Sequence, residues 1–494
     1  MMLLKSSDIS PRKPAIINAD HSEHEIKPQH CTEEAISTEM NSFGFYVKEL
    51  ESYANAALSG EDSFVAKVNF HELLNGEVGA ELRRRVPLTY RQEIGAFFTG
   101  ENLRQIVFNS FPGDPIETAL WDPACGAGDL LLTYAKRLPI NTSIERTIKD
   151  WGKAIFGNDI EALFLRAAKS RLVLLAYARG ARSKSKNKVT LENTFPNLIK
   201  RNSLTEKFTT PKANVVLNPP FVSIQADKNC EWGNGNVSAA AVFVEMCVKK
   251  SLPGTKIVAI LPDVLRTGTR YAQWRSLINK HSDIEKIDIY GSFDPQADVD
   301  VFVLELTTKS SKNFSNAKDW TWGITDNAAI ERIEHYFSIS VGPVVPHRHK
   351  EVGEESPYLH ARESPAWGML EEISTRRRFS GRTHQPPFVV IRRTSSPSDR
   401  ERAIGTIINC TEAVAVENHL IICKPHDNSL ESCKILLETL KSNSTNEWLN
   451  SRIRCRHLTV GSIKEVPFLQ ANQKIGTDLV AHPQNLKGKK WREI

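Results

Sequence analysis

Two short blocks in the chain carry residue types that could do chemistry together. Asn218-Pro219-Pro220-Phe221 follows the apolar run Asn214-Val215-Val216-Leu217, and Trp121-Asp122-Pro123-Ala124-Cys125-Gly126-Ala127-Gly128 stands well upstream of it. Gly126 and Gly128 permit a turn whose backbone amides approach a nucleotide-like ligand with no side chain in the way. The second block offers two acceptors, the Asn218 side-chain oxygen and the Pro219 carbonyl, on a backbone that two prolines restrict. An exocyclic aromatic amine is a poor nucleophile because its lone pair is delocalised into the ring. Acceptors on both its protons draw the nitrogen toward tetrahedral geometry and free the lone pair to take a methyl group. Phe221 adds an apolar face on which a flat ring can stack. Either block alone has a plain structural explanation, a tight strand–helix turn or a rigid Asx-Pro turn. Their order and spacing favour the chemical reading.

These blocks resemble those of the S-adenosylmethionine-dependent, adenine-specific DNA methyltransferases. The resemblance covers roughly Arg91 to Leu306, and its motif order is that of the class called gamma. It implies a class I methyltransferase domain with Asn218, Pro219, Pro220 and Phe221 as the catalytic turn. It also implies S-adenosylmethionine bound by Thr99, Asp122, Ala124, Gly126, Gly128, Asp159, Asn202 and Asn218. Asp122 would face the amino group of the methionine moiety, and Asp159 in Gly157-Asn158-Asp159-Ile160 would accept from the ribose hydroxyls. Asp159 also fits a helix N-cap ahead of Glu161. The chain departs from the family twice. Asn202 stands where an acid usually meets the adenine amine, although its carbonyl oxygen could still accept. Gly100 stands where proline is usual in Gly95-Ala96-Phe97-Phe98-Thr99-Gly100, a segment that also suits a helix end with a glycine C-cap.

The elements that must position these residues follow from hydrophobic periodicity. Helical spacing of Phe45, Val47, Leu50 and Tyr53 predicts a small helical region over 41–90, after a polar flexible arm over 1–40. From Ala119 short apolar strands alternate with helical stretches. Strands are expected at 119–121, 153–157, 214–217 and 256–261, with helices through Tyr134, over 161–179 and over 238–252. Such βα units imply a doubly wound, mostly parallel sheet. Two closing strands at 284–290 and 300–306 flank a loop from Gly291 to Asp298. The catalytic domain is therefore expected over 91–306, a linker over 307–319 and a separate domain over 320–494. The loop around Trp232-Gly233-Asn234-Gly235-Asn236 reads equally as a substrate cover or a disordered surface loop.

A chain of 494 residues, 40% hydrophobic and 25% charged, reads as a multi-domain globular protein. Its longest apolar runs, such as Ile257–Leu261, are too short to cross a bilayer. The start of the chain lacks a long apolar core, and eight scattered cysteines show no paired or metal-ligand spacing. The expectation is a cytoplasmic protein with reduced thiols, no metal and no membrane partner.

A net charge of +6 permits a polyanionic partner. Arginines cluster over 376–402 and again at Arg452, Arg454 and Arg456. Within the resemblance the C-terminal region would read the DNA sequence, with Arg392, Arg393, Arg452, Arg454 and Arg456 as candidate contacts. Arginine suits both phosphate and guanine recognition. The basic loop carrying Arg179, Arg182, Lys184, Lys186 and Lys188 reads as solvated.

The expected activity is methyl transfer to a flipped-out adenine at a specific site in double-stranded DNA, as the modification half of a restriction-modification pair. Any cognate endonuclease would be a separate chain. Other readings are an RNA or protein-glutamine amino-methyltransferase, whose usual compactness the long C-terminal region speaks against, and a non-catalytic DNA-binding subunit.

Overall fold

The computed structural model describes residues 33–65, 69–95, 99–111, 118–183, 189–293, 299–309, 320, 331–454 and 456–468. Its centre is a seven-stranded sheet. Seven of the first nine strands in chain order build it: β1 (Leu120–Asp122), β2 (Ile155–Asp159), β3 (Leu198–Lys200), β4 (Asn214–Leu217), β7 (Lys256–Pro262), β8 (Ser282–Ser292) and β9 (Asp300–Thr308). The remaining two, β5 (Ser223–Gln225) and β6 (Asn236–Ser238), pair as a separate antiparallel hairpin. The sheet order is β3-β2-β1-β4-β7-β9-β8, parallel from β3 through β7, with β9 antiparallel to both β7 and β8. This is a doubly wound, mostly parallel sheet, as expected. Ligands of such sheets bind at the carboxyl ends of the strands, where strand order reverses. Here that point lies between β1 and β4.

Alternation along the strands explains the two layers. Val216, Val258 and Ile260 face one core, formed with the helices Asp129–Ala135, Ile144–Ala154 and Ala162–Ala178 and the N-terminal helices. Val215, Leu217, Ile257, Ala259 and Leu261 face the other, with the helices Ala239–Lys250 and Ala272–His281.

Several expectations shift. A helix already runs from Glu33 to Ser59, so the arm predicted over 1–40 is helical from residue 33; residues 1–32 lie outside the described residues. Phe45, assigned to its apolar stripe, is 67% exposed, because the buried face is carried by Phe43, Tyr46, Val47 and Leu50. Strand β3 was not expected, since only Leu198 of its three residues is buried. Strand β9 runs through Thr307 and Thr308, the first residues of the expected linker. The Thr308 hydroxyl donates to the Leu252 carbonyl at 2.6 Å, which holds that polar end in the sheet. Residues 310–319 of the linker lie outside the described residues.

The Trp232 loop is built rather than loose. Trp232 is buried, and its indole N–H donates to Glu245 at 2.7 Å. In the basic loop, the Arg179 and Arg182 side chains donate to the carbonyls of Ala135 and Tyr177 at 2.8 and 2.7 Å; Lys184, Lys186 and Lys188 lie outside the described residues.

The C-terminal unit has no βα rhythm. Its strands are β10 (Phe337–Val341), β11 (Glu354–Leu359), β12 (Met369–Leu370), β13 (Arg376–Phe379), β14 (Phe388–Arg392), β15 (Gly405–Ile408), β16 (Ala415–Val416) and β17 (Leu420–Pro425). They form a five-stranded sheet, β10-β17-β14-β15-β12, and a three-stranded sheet, β13-β11-β16. Val389, Ile391, Ile421 and Cys423 pack on the helices Leu430–Lys441, Asn443–Arg452 and Val460–Lys464, while Phe388, Val390, Leu420 and Ile422 pack on Leu359, Val414 and Val416.

Candidate functional site

Strand β1 ends at Asp122 and gives way to the glycine turn, in which Gly126 and Gly128 have φ of 52° and 83°. That left-handed conformation is the reason both are glycine. A Cβ on Gly128 would also lie 3.0 Å from the Ala168 Cβ, so the turn packs tightly on the helix Ala162–Ala178. Behind the turn, Arg171 is fully buried. Its guanidinium donates to the Ala127 carbonyl at 2.7 Å and pairs with Asp129 at 2.9 Å.

A cleft of about 320 Å³ opens over these strand ends, lined among others by Thr99, Asp122, Ala124, Gly126, Asp159, Asn202, Asn218 and Pro220. The volume lies at the lower end of the range for small-molecule sites. The structure thus brings together seven of the eight residues expected at the cofactor, while Gly128 shapes the turn just behind. Sequence reasoning did not pick out Glu161, Arg201, Phe164 or Phe243, which also line the cleft. Glu161 stands two residues past the end of β2, the signal that could have found it, whereas Arg201 follows β3, a strand with no signal of its own.

The two acids are held by backbone amides. Asp122 accepts from the Ala124 N–H at 3.0 Å. Asp159 accepts from Gly126 N–H at 2.8 Å with one oxygen and from Glu161 N–H at 2.9 Å with the other. It thereby staples the glycine turn to the start of the helix after β2, of which Glu161 is the N-cap. Asp122 is 2% exposed, and burial pushes its carboxyl up to about 8, with the Asp159 charge adding to the rise. Burial raises Asp159 as well. Among the described residues neither acid has an ion-pair partner within reach.

Asn202 sits in the cleft with its oxygen already engaged. It accepts from the Leu204 N–H at 3.0 Å, while the Asn202 N–H donates to Glu206 at 2.8 Å. The adjacent Ser203 hydroxyl donates to the Pro123 carbonyl at 2.8 Å and ties this loop to the glycine turn.

The Asn-Pro-Pro-Phe turn leaves the end of β4. Asn218 Nδ2 donates to the Thr99 hydroxyl at 3.0 Å. The C-cap glycine of the preceding helix is Gly95, not Gly100: it has φ of 66° and closes Leu88–Ile94, whereas Gly100 is the N-cap of Glu101–Asn109. A Cβ on Gly95 would lie 2.3 Å from the Pro220 Cβ, so the helix end rests directly on the turn. Phe221 is half-buried and packs edge-to-face against Phe293, with ring centroids 5.3 Å apart and planes at 67°. Phe293 directly follows the end of β8.

The arginines expected on DNA are placed unevenly. Arg456 is exposed. Arg392 donates to the Ser364 carbonyl at 2.5 Å and Arg393 to the Asn418 carbonyl at 2.8 Å, and burial lowers the Arg393 guanidinium. Arg452 and Arg454 are turned into the protein, contrary to expectation. Arg452 is 8% exposed, lies over Trp448 and is 3.7 Å from Glu465. Arg454 is held by interior-facing acids of the central domain, Asp263 and Asp300. Among the described residues Arg378 and Arg382 are exposed near the start of the first cluster. No helix among them is long and apolar enough to cross a membrane, and no group of three His, Cys, Asp or Glu is placed to hold a metal.

Residues 84–287 match the family model described as N-6 DNA methylase. No curated protein matches the chain significantly. Among solved structures, the type IIL restriction-modification enzyme MmeI in complex with DNA is similar in fold at 14% identity and a TM-score of 0.50, over 79% of this chain and 70% of that one. The M protein of the type I restriction enzyme EcoKI aligns at 15% identity and a TM-score of 0.34, over 58% and 68% of the two chains. A type I methyltransferase subunit from Streptococcus thermophilus aligns at 15% identity and a TM-score of 0.34, over 51% of this chain and 56% of that subunit.

Proposed function

Because residues 84–287 carry the N-6 DNA methylase pattern, we propose that the chain transfers a methyl group from S-adenosylmethionine to the exocyclic amine of an adenine at a specific site in duplex DNA. The observation that carries this reading is the meeting of the two sequence blocks at one cleft, with Asp122 and Asn218 both on its wall.

The cleft fits the cofactor on chemical grounds. Asp122 is a buried carboxylate without a cationic partner among the described residues. Burial makes its charged form costly and keeps it protonated, and a cationic ligand would favour the ionised form. Asp122 would meet the positive amino group, and Gly126 and Gly128 would let the backbone close around the ligand. Bound there, S-adenosylmethionine supplies an electrophilic methyl group on a sulfonium.

The chain's own residues then prepare the amine. With its NH₂ turned to Thr99, Asn218 presents its side-chain oxygen as an acceptor for one amine proton. The Pro219 carbonyl accepts the other, on a backbone that Pro220 stiffens and Gly95 supports. Phe221 offers the ring a stacking face. A base inside a duplex cannot reach this turn, so the adenine must be extruded. Positioning, rather than a covalent intermediate, supplies most of the rate.

The C-terminal unit is the proposed reader of the DNA sequence. The fold likeness to MmeI, whose structure is of a DNA complex, extends over 79% of this chain and so past the family match. A separate restriction endonuclease is the proposed functional partner.

Single-molecule sequencing of DNA from a host that expresses the chain tests the reading. The expected result is N6-methyladenine in one sequence context, absent from the Asn218→Ala strain. Methyl transfer confined to RNA or to protein glutamine would overturn it, as would no transfer at all.

A further inference from the structure

Among the described residues, the C-terminal unit meets the end of the central sheet at a charged seam. The Arg454 backbone N–H donates to Asp263 at 3.0 Å, and its guanidinium donates to Asp300 at 3.1 Å. Asp263 is 2% exposed and directly follows β7, whereas Asp300 opens β9. On the central side, the fully buried Arg266 donates to the other Asp263 oxygen at 2.8 Å and reaches the Ser451 carbonyl at 3.4 Å. Charge-assisted bonds of this kind hold geometry more firmly than neutral ones.

The seam lies beside the end of β8. In register, Gly291 pairs with Val301 and Ser292 with Asp300. A Cβ on Gly291 would lie 3.3 Å from the Arg454 guanidinium, so that side chain rests on the strand end itself. The next residue after Ser292 is Phe293. Its N–H donates to the Val299 carbonyl at 2.9 Å, and its ring packs against Phe221 of the Asn-Pro-Pro-Phe turn. Three contacts therefore connect the C-terminal unit to the aromatic pair: Arg454 with Asp300, Arg454 over Gly291, and Phe293 on Phe221.

We infer that Arg454 is a positioning residue, not a DNA contact, through which the docked C-terminal unit sets the Phe293 ring against Phe221 and so shapes the place where the target base stacks. The inference rests on the methyltransferase reading above. The sequence placed Arg454 among DNA-binding arginines because of its neighbours Arg452 and Arg456. Its acid partners belong to the catalytic domain, which assigns it a different task.

The test uses the full chain and a duplex carrying the methylated context found by sequencing. Arg454→Ala, Asp300→Ala, Phe293→Ala and the double variant Arg454→Ala/Phe293→Ala are compared in single-turnover methylation and in duplex binding across salt. Arg454→Ala and Asp300→Ala should each slow methylation roughly tenfold to a hundredfold, the scale of a small misplacement at the reacting centre. The salt dependence of duplex binding should stay unchanged in both. In the Phe293→Ala background, Arg454→Ala should add little further loss, because residues acting through one contact are not additive.

A salt slope that falls by about one in Arg454→Ala would make this arginine a phosphate contact and overturn the inference. So would fully multiplicative losses in the double variant, or a silent Asp300→Ala. Asp300→Ala keeps the test decisive if Arg454→Ala fails to fold, since it removes the acid and leaves every arginine in place. An inactive wild type would instead overturn the methyltransferase reading and this inference with it.

Discussion

Asn218 and Thr99 are joined by a hydrogen bond of 3.0 Å although 119 residues separate them. The bond turns the amide so that its oxygen, not its NH₂, is left for a ligand. Thr99→Val should therefore free the amide to rotate and slow methyl transfer roughly five- to tenfold, the worth of one neutral hydrogen bond. Thr99→Ser should keep the rate. Single-turnover kinetics check both, and duplex affinity should not change in either.

Gly95 supports the same turn from below. Gly95→Ala would place a Cβ 2.3 Å from the Pro220 Cβ and 2.9 Å from its Cα, at a φ of 66°. A strain of about 1–3 kcal/mol is expected from such overpacking. Thermal unfolding should register that loss, and methylation should fall while S-adenosylmethionine binding, read by calorimetry, holds.

Asp122 makes a prediction about pH. Burial raises its carboxyl from 3.8 to about 8. Between those values the folded chain holds a proton that the unfolded chain has released, so this group lowers stability as pH rises through the window. Asp122→Asn should flatten that part of the stability profile. A cation opposite Asp122 favours the ionised form, so S-adenosylmethionine should bind more tightly as pH rises toward 8 and release a proton as it binds. Calorimetry in buffers of different ionisation enthalpy measures the release. Asp122→Ala should cost about 1.5–3 kcal/mol in cofactor affinity, with duplex binding little changed.

Phe221→Ala removes a stacking face worth about 1–3 kcal/mol per base. It should impair capture of the extruded adenine while cofactor binding stays normal. Phe221→Tyr should keep much of the activity, because the need is for a π-face. A normal single-turnover rate for Phe221→Ala would remove the stacking role.

The exposed arginines are the better candidates for phosphate contacts. Replacing Arg378 and Arg382 together by Gln should weaken duplex binding and reduce the salt slope by about two. The carbonyl-bonded Arg392 and Arg393 should instead show their loss in thermal unfolding.

What the sequence made legible was local. The run Asn214–Leu217 became β4 at the same residues, because four apolar-rich positions ending in Asn-Pro leave a strand few alternatives. Asp122, Asp159 and Asn218 stand together because each closes or directly follows a parallel strand, and such ends converge. The direction of a long side chain is another matter. Arg454 and Arg456 are two residues apart, yet one is held by Asp263 and Asp300 while the other is exposed. Those acids lie more than 150 residues away in the chain, beyond any local pattern. Strand β3 was missed for a similar reason: it exists through its pairing with β2, not through its own side chains.

Strands β1 and β4 pair side by side, with Leu120 opposite Asn214 and Trp121 opposite Val215. The cleft therefore opens at the boundary between two neighbouring strands, and the chain that runs between them supplies much of its wall through Asp159, Glu161, Phe164, Arg201 and Asn202. Any connectivity that returned these strands and the chain between them to the same places would rebuild the same walls. What the walls can do depends on which strand ends meet, not on which of the two blocks comes first in the chain.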